Sequence, residues 1–260
     1  MVDILARRKV LKTKLQKRDR VFAGWASFGH PGITEIFTRA GFDFIGIDME
    51  HSTISQEQCQ RIIAACHADG VACLPRIASH NPEMARRLLD SGADGLIVPM
   101  VNSPNDARAA VEWMKYPPVG KRGFGVGRAQ GYGFDFDQYT KTWNDSSICI
   151  AQIESIQAVE QIEAILAVEG LDGVMVGPYD ISGSLNVPGQ LEHPLVVEAG
   201  LKVVAAAKKH GKACATQIIE VDAQKIQQAQ QRGYTLMVLA SDVFILWKWA
   251  QRIRHDITSL

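Results

Sequence analysis

Several charged residues of this chain come directly after short apolar runs, and their types are those of acid–base and metal chemistry. The first such place reads Ile47-Asp48-Met49-Glu50-His51 and the next Leu74-Pro75-Arg76. Two more read Ala151-Gln152-Ile153-Glu154 and Val176-Gly177-Pro178-Tyr179-Asp180. A charged group just beyond an apolar strand is expected to be partly buried, and burial requires a partner or a metal. Glu154 and Asp180, from neighbouring runs, form a natural partial shell for a hard divalent cation whose other positions go to water and substrate oxygens. Of the seven histidines, His51 is the best general-base candidate, because it alone closes a run beside two acids. His30 closes the first run and ranks second. Asp90 makes a poor core residue without a partner, and a carboxylate bonded to an imidazole raises its basicity and fixes its tautomer. Plainer readings stay open residue by residue: Asp180 as a helix cap, Glu154 as a first-turn carboxylate favoured by the helix dipole.

Positioning these groups falls to a repeating pattern. Eight apolar or β-branched runs alternate with segments of helical spacing. The runs are Val21–Ser27, Phe44–Asp48, Ala72–Ile77, Gly95–Met100, Ile148–Ile153, Gly173–Gly177, Ala213–Ile218 and Thr235–Ala240. Ser55, Asn81, Ser103 and Ser155 are placed to cap the helices they precede, with Pro82 and Pro104 in first turns. Gly41, Gly70, Gly92, Gly211 and Gly233 follow helical segments, where a left-handed residue ends a helix. Near-continuous apolar runs mark strands buried on both faces. The pattern predicts a single (β/α)8 TIM barrel over residues 1–260, with its chemistry at the C-terminal ends of the strands. A doubly wound open sheet is the alternative, although no GxGxxG follows the first run. Arg122–Tyr139, rich in Gly and aromatics, is the longest expected irregular connection.

Composition narrows the function classes. The 28 Lys and Arg balance 28 Asp and Glu, so no nucleic-acid or anionic-membrane surface is expected. The longest apolar stretches, such as Gly95–Val101, fall short of the roughly 20 residues that span a bilayer. Met1–Arg20 is basic without an apolar secretory segment, which points to a cytoplasmic protein. Five cysteines, none in a CxxC pair, read as plain thiols.

Taken in order, Ile47-Asp48-Met49-Glu50-His51, Pro75-Arg76, Val98-Pro99-Met100, Tyr116-Pro117-Pro118-Val119-Gly120-Lys121-Arg122-Gly123, Gln152-Ile153-Glu154 and Gly177-Pro178-Tyr179-Asp180-Ile181-Ser182 resemble the motif series of the HpcH/HpaI family of metal-dependent class II pyruvate aldolases. The resemblance runs from about Gly24 to Asp242. It implies a lyase that reversibly cleaves a 4-hydroxy-2-oxo acid to pyruvate and an aldehyde. It implies Glu154 and Asp180 as ligands of Mg²⁺, Mn²⁺ or Co²⁺, Arg76 as the group that stabilises the enolate, His51 as the base and Asp90 as the acid that tunes it. Gln152 and the backbone of Tyr179 and Asp180 match positions that hold pyruvate, while Asp48, Glu50 and Trp25 match supporting or pocket-wall positions. Relatives assemble as hexamers with the last helix exchanged between subunits, which implies a homo-oligomer here.

The residue types support that chemistry independently. A divalent cation acts as a Lewis acid at a 2-oxo group, a guanidinium neutralises developing enolate charge, and an imidazole carries the hydroxyl proton. No lysine closes any of the eight runs, which argues against a Schiff-base aldolase. Met49 and Tyr179 replace smaller residues of relatives, which predicts a narrower aldehyde end, and Arg128 is read either as meeting a substrate tail or as a surface ion pair. Two other classes compete: an acyl-CoA C–C lyase on the same barrel, and a non-catalytic barrel. The latter predicts a loss among His51, Arg76, Glu154 and Asp180, and all four are present.

Overall fold

The computed structural model describes residues 4–259. Its eight strands are β1 (Val21–Ala26), β2 (Phe44–Asp48), β3 (Ala72–Arg76), β4 (Gly95–Val98), β5 (Ile148–Ile153), β6 (Gly173–Val176), β7 (Ala213–Ile218) and β8 (Leu236–Leu239). They pair in parallel in chain order, and β1 pairs with β8 to close the barrel. Closure excludes the open doubly wound sheet. Every residue of β2 through β6 is buried, as expected for strands covered by helices outside and side chains inside.

The helices are α1 (Ile4–Lys17), α2 (Pro31–Thr38), α3 (Gln56–Ala68), α4 (Pro82–Asp90), α5 (Pro104–Met114), α6 (Phe136–Ser146), α7 (Ile156–Glu160), α8 (Ile162–Leu166), α9 (Pro178–Ser184), α10 (Pro194–Lys209), α11 (Ala223–Gln231) and α12 (Asp242–Thr258). Ser55 and Gln58 form a reciprocal capping box on α3, and Asn81, Ser103 and Ser155 accept first-turn N–H groups of α4, α5 and α7. Gly92, at φ +109°, turns the chain from α4 towards β4 in a conformation that L side chains rarely adopt.

Three elements depart from the sequence reading. α1 was not foreseen, because its apolar positions are few and its buried face includes Arg7, Arg8 and Lys12. It nevertheless closes the N-terminal end of the barrel: Leu11 and Leu15 join the interior cluster with Phe44, Leu74 and Ile150. Lys12 Nζ sits 2.9 Å from Asp172 and donates to the Ser147 carbonyl at 2.7 Å. The expected irregular connection instead carries a short 3-10 segment, Arg128–Gly133, and the start of α6, whose Tyr139 and Trp143 are one turn apart and both buried. The single helix expected over Ile156–Ala164 is broken at Gln161 into α7 and α8.

All five cysteines are buried and free. No helix among the described residues is long and apolar enough to cross a membrane.

Candidate active site

The barrel brings the strand-end residues to one rim. Asp48 and Arg76 are partners in the β2–β3 ladder, which sets their side chains side by side. Arg76 Nη2 lies 2.7 Å from Asp48 Oδ1, Nε donates to the same oxygen at 3.2 Å, and Nη1 lies 3.1 Å from Glu50 Oε2. The guanidinium carbon rests 5.1 Å from the centre of the Trp25 ring, a cation–π contact from β1. Gly46 makes room for that ring, since a Cβ there would meet it at 2.3 Å. Asp48 also accepts the backbone N–H groups of Glu50 and His51, at 3.1 and 3.0 Å, and so shapes the turn that presents the imidazole. His51 is exposed, with Nε2 3.7 Å from Glu50 Oε2.

Across the rim, Glu154 is held at both oxygens. Gln152 Nε2 donates to Oε1 at 2.5 Å and the Met100 N–H to Oε2 at 2.8 Å. Met100 takes a left-handed φ of 51°, uncommon for a side chain of its size, at the turn that delivers this N–H. Gly177 leaves space for the carboxylate, because a Cβ there would meet Glu154 Cγ at 2.8 Å. Asp180 is exposed in the first turn of α9, whose first N–H groups have no intrahelical acceptor. Gln152 Oε1 is buried with no hydrogen-bond partner among the described residues.

Electrostatically, the site holds more negative charge than it neutralises. Burial pushes the Asp48 carboxyl up, but Arg76, the His51 N–H and Trp25 together bring it below its ordinary value. Glu50 and Glu154 move the other way. Burial raises both, Asp180 adds to each, and Arg76 only partly offsets the rise. Four carboxylates thus face one guanidinium. That surplus, and an unpartnered amide oxygen beside Glu154, fit a divalent cation. Among the described residues no three His, Cys, Asp or Glu side chains are close enough to cage a metal by themselves, so the fit is to an ion that keeps water and substrate ligands.

Other expected residues lie elsewhere. Asp90 does not meet His51 within the chain. It ends α4, and outer helices return the chain to the start of the next strand, so Asp90 sits towards the end of the barrel opposite the rim. There it accepts from Arg122 Nη2 at 2.7 Å. Arg128 is likewise directed away from the rim, donating to the Ser91 carbonyl at 3.1 Å. Met49 is buried in the core between barrel and helices, so it does not narrow a pocket. His30 caps α2 by accepting the Gly32 N–H. Tyr179, 58% exposed, borders a separate cavity of about 520 Å³ that none of Arg76, Glu154 and His51 lines.

One rim residue escaped the sequence reading. Asp242, buried at the start of α12, accepts the N–H groups of Ser27 and Phe28, both at 2.9 Å, and so ties the β1 loop to the end of β8. Its signal was similar to that of Asp180, a carboxylate a few residues beyond an apolar run.

The chain is also similar to known proteins. The sequence profile of the HpcH/HpaI aldolase/citrate lyase family matches residues 22–248. A hydroxypyruvate/pyruvate aldolase of Paraburkholderia phytofirmans is 34% identical over 257 residues, covering 96% of this chain and 97% of the relative. A 5-keto-4-deoxy-D-glucarate aldolase of Citrobacter koseri is 32% identical, covering 88% of each. The crystal structure of an HpcH/HpaI aldolase/citrate lyase family protein from Burkholderia cenocepacia superposes with a TM-score of 0.90 at 30% identity, covering 96% of this chain and 99% of that one.

Proposed function

The chain belongs to the HpcH/HpaI aldolase/citrate lyase family and is a carbon–carbon lyase, and from that premise we propose that it reversibly cleaves a 4-hydroxy-2-oxo acid to pyruvate and an aldehyde. The observation that carries this reading is the Arg76 fork set among carboxylates from the ends of β2, β5 and β6. Glu154 and Asp180 would hold a divalent cation, Mg²⁺, Mn²⁺ or Co²⁺, which when bound supplies Lewis acidity at the 2-oxo group.

The chain's own residues do the rest. Gln152 and the first-turn N–H groups of Tyr179 and Asp180 hold the pyruvate end of the substrate. His51 takes the proton of the C4 hydroxyl as the C3–C4 bond breaks, so that C4 becomes the aldehyde carbon and the bonding pair enters the enolate. Arg76, fixed by Asp48, Glu50 and Trp25, sets its positive charge against the enolate oxygen. Protonation at C3 then gives pyruvate. Condensation runs through the same groups in reverse.

Two further parts of the reading concern the setting. Val243, Ile245, Leu246, Trp247 and Trp249 of α12 are all at least a third exposed, and Asp242 is the only described residue of that helix that is buried. An apolar helix face so poorly covered by its own barrel supports a homo-oligomer, a hexamer by family resemblance, and the compartment we propose is the cytoplasm. A monomer in size-exclusion chromatography with light scattering at micromolar concentration would contradict the assembly.

The reaction is tested without knowing the aldehyde, by following deuterium exchange into the pyruvate methyl group by NMR. Exchange that needs added Mg²⁺ or Mn²⁺, stops with EDTA and is lost in Arg76→Ala supports the reading. Absence of exchange with every metal would overturn it and favour an acyl-CoA lyase.

A further inference from the structure

At the N-terminal end of the barrel, away from the rim, lies a cavity of about 200 Å³ lined by Arg8, His67, Gly92, Arg128, Tyr132 and Tyr139 among others. No carboxylate lines it. Two guanidinium groups line it, those of Arg8 and Arg128, and two more, those of Arg7 and Arg122, lie close enough to Arg8 to act on its charge. Two carboxylates answer them. Asp94 takes Arg7 at 3.3 Å and Arg8 at 3.9 Å, and Asp90 takes Arg122 at 2.7 Å. Arg128 has no carboxylate within ion-pair distance among the described residues. Asp135 lies against Gly131 without pairing to any of the four.

These cations are not free in solvent. Arg8 is buried and packed on Trp143 and Tyr139, its guanidinium carbon 4.7 and 5.5 Å from the ring centres. Burial, opposed by Asp94 and reinforced by Arg7 and Arg122, pulls it below its ordinary pKa. Arg7 Nη1 is buried with no hydrogen-bond partner among the described residues. Arg128 is a donor only, and its Nη1 lies 3.2 Å from His67 Nδ1. That contact makes Nδ1 the acceptor and leaves the His67 proton on Nε2, which faces Asp94 at 3.4 Å. The one acceptor that His67 offers is therefore already taken by Arg128. Three buried guanidinium groups sharing two carboxylates, beside open space and a half-buried fourth, favour an anion there.

We propose that this cavity binds a small inorganic oxyanion of the phosphate or sulfate class, held by Arg8 and Arg128. At about 30 Å³ per water the space accommodates roughly six or seven waters, enough for a tetrahedral oxyanion and some hydration but below the usual size of a pocket for a larger metabolite. The bound ion would pin the 3-10 segment carrying Arg128 and Tyr132 to α1 and to the end of α4.

Isothermal titration with inorganic phosphate, in EDTA and against chloride at equal ionic strength, tests this. Phosphate should bind the wild-type protein and raise its melting temperature beyond the chloride control. Arg128→Gln, chosen because Arg128 is only half-buried, should weaken binding about tenfold or more. Arg76→Ala should leave it unchanged, because Arg76 lies at the other end of the barrel. Glycerol 3-phosphate should bind markedly more weakly than the free ion. The proposal is overturned if phosphate behaves as chloride does, if Arg128→Gln binds as wild type, if Arg76→Ala removes the binding, or if the organic phosphate binds as well as the inorganic one. Because no substrate is used, these outcomes are independent of the aldolase reading.

Discussion

A single oxygen, Oδ1 of Asp48, receives Arg76 through Nη2 at 2.7 Å and Nε at 3.2 Å while also accepting the N–H groups of Glu50 and His51. One carboxylate therefore sets both the charge that faces the enolate and the turn that presents the base. Asp48→Asn keeps the shape but removes the negative charge that orients Arg76. A hydrogen bond to a charged group is worth about 1.5–3 kcal/mol, so pyruvate methyl exchange should fall about tenfold to a hundredfold with an unchanged circular dichroism spectrum. Exchange at the wild-type rate would show that Asp48 does not position Arg76.

His51 and Arg76 separate chemistry from folding. His51 is exposed and bonds through its backbone, so His51→Ala should leave the melting temperature in place. Loss of a general base costs about 10²–10⁴ in rate, and steady-state cleavage of a 4-hydroxy-2-oxo acid should show a loss of that order. Arg76→Lys keeps the charge but not the fork that spans Asp48 and Glu50, and turnover should drop in it as well. Wild-type-like turnover in either variant places the reaction elsewhere.

Glu154 should act through the cation. Its oxygens are positioned by Gln152 and the Met100 N–H, and burial together with Glu50 and Asp180 raises its carboxyl. Glu154→Ala removes a ligand and relieves the carboxylate crowding, so calorimetric titration with Mn²⁺ should show binding lost or greatly weakened while the protein stays folded. Undiminished Mn²⁺ binding would remove Glu154 from the ligand set.

Most of the barrel was legible because its signals are local. Runs buried on both faces announce β2 to β6, and a Ser or Asn before a helix announces its start whatever packs against it. The rim was legible for the same reason, as Asp48 and Arg76 end strands and Glu154 and Asp180 come soon after them. Asp90 lies away from His51 within the chain, and spacing alone does not say at which end of the barrel a helix terminus lies. It ends α4, and its neighbour proved to be Arg122, 32 positions on. α1 stayed hidden because it buries cations against Asp94 and Asp172, pairs that only the closed barrel creates. Asp242 needed the same closure, since its partners Ser27 and Phe28 come from the far end of the chain.

The buried charge at the base of the barrel should make stability depend on acid pH. Burial alone would raise the Asp94 carboxyl, but the facing His67 Nε2, 3.4 Å away, and the charges of Arg7 and Arg8 bring it down to about 2. The unfolded chain holds an aspartate near 3.9. A folded value below the unfolded one gives stability that is fully present above about pH 4 and is lost as pH falls towards 2. The gap is worth on the order of 2–3 kcal/mol. Urea unfolding of wild type should therefore weaken between pH 5 and pH 2. Asp94→Asn, which also leaves Arg7 and Arg8 without their counterion, should be destabilised at pH 7 and show a flatter pH profile over that range. A variant whose stability falls with acid as steeply as wild type would show that other carboxylates carry the acid response.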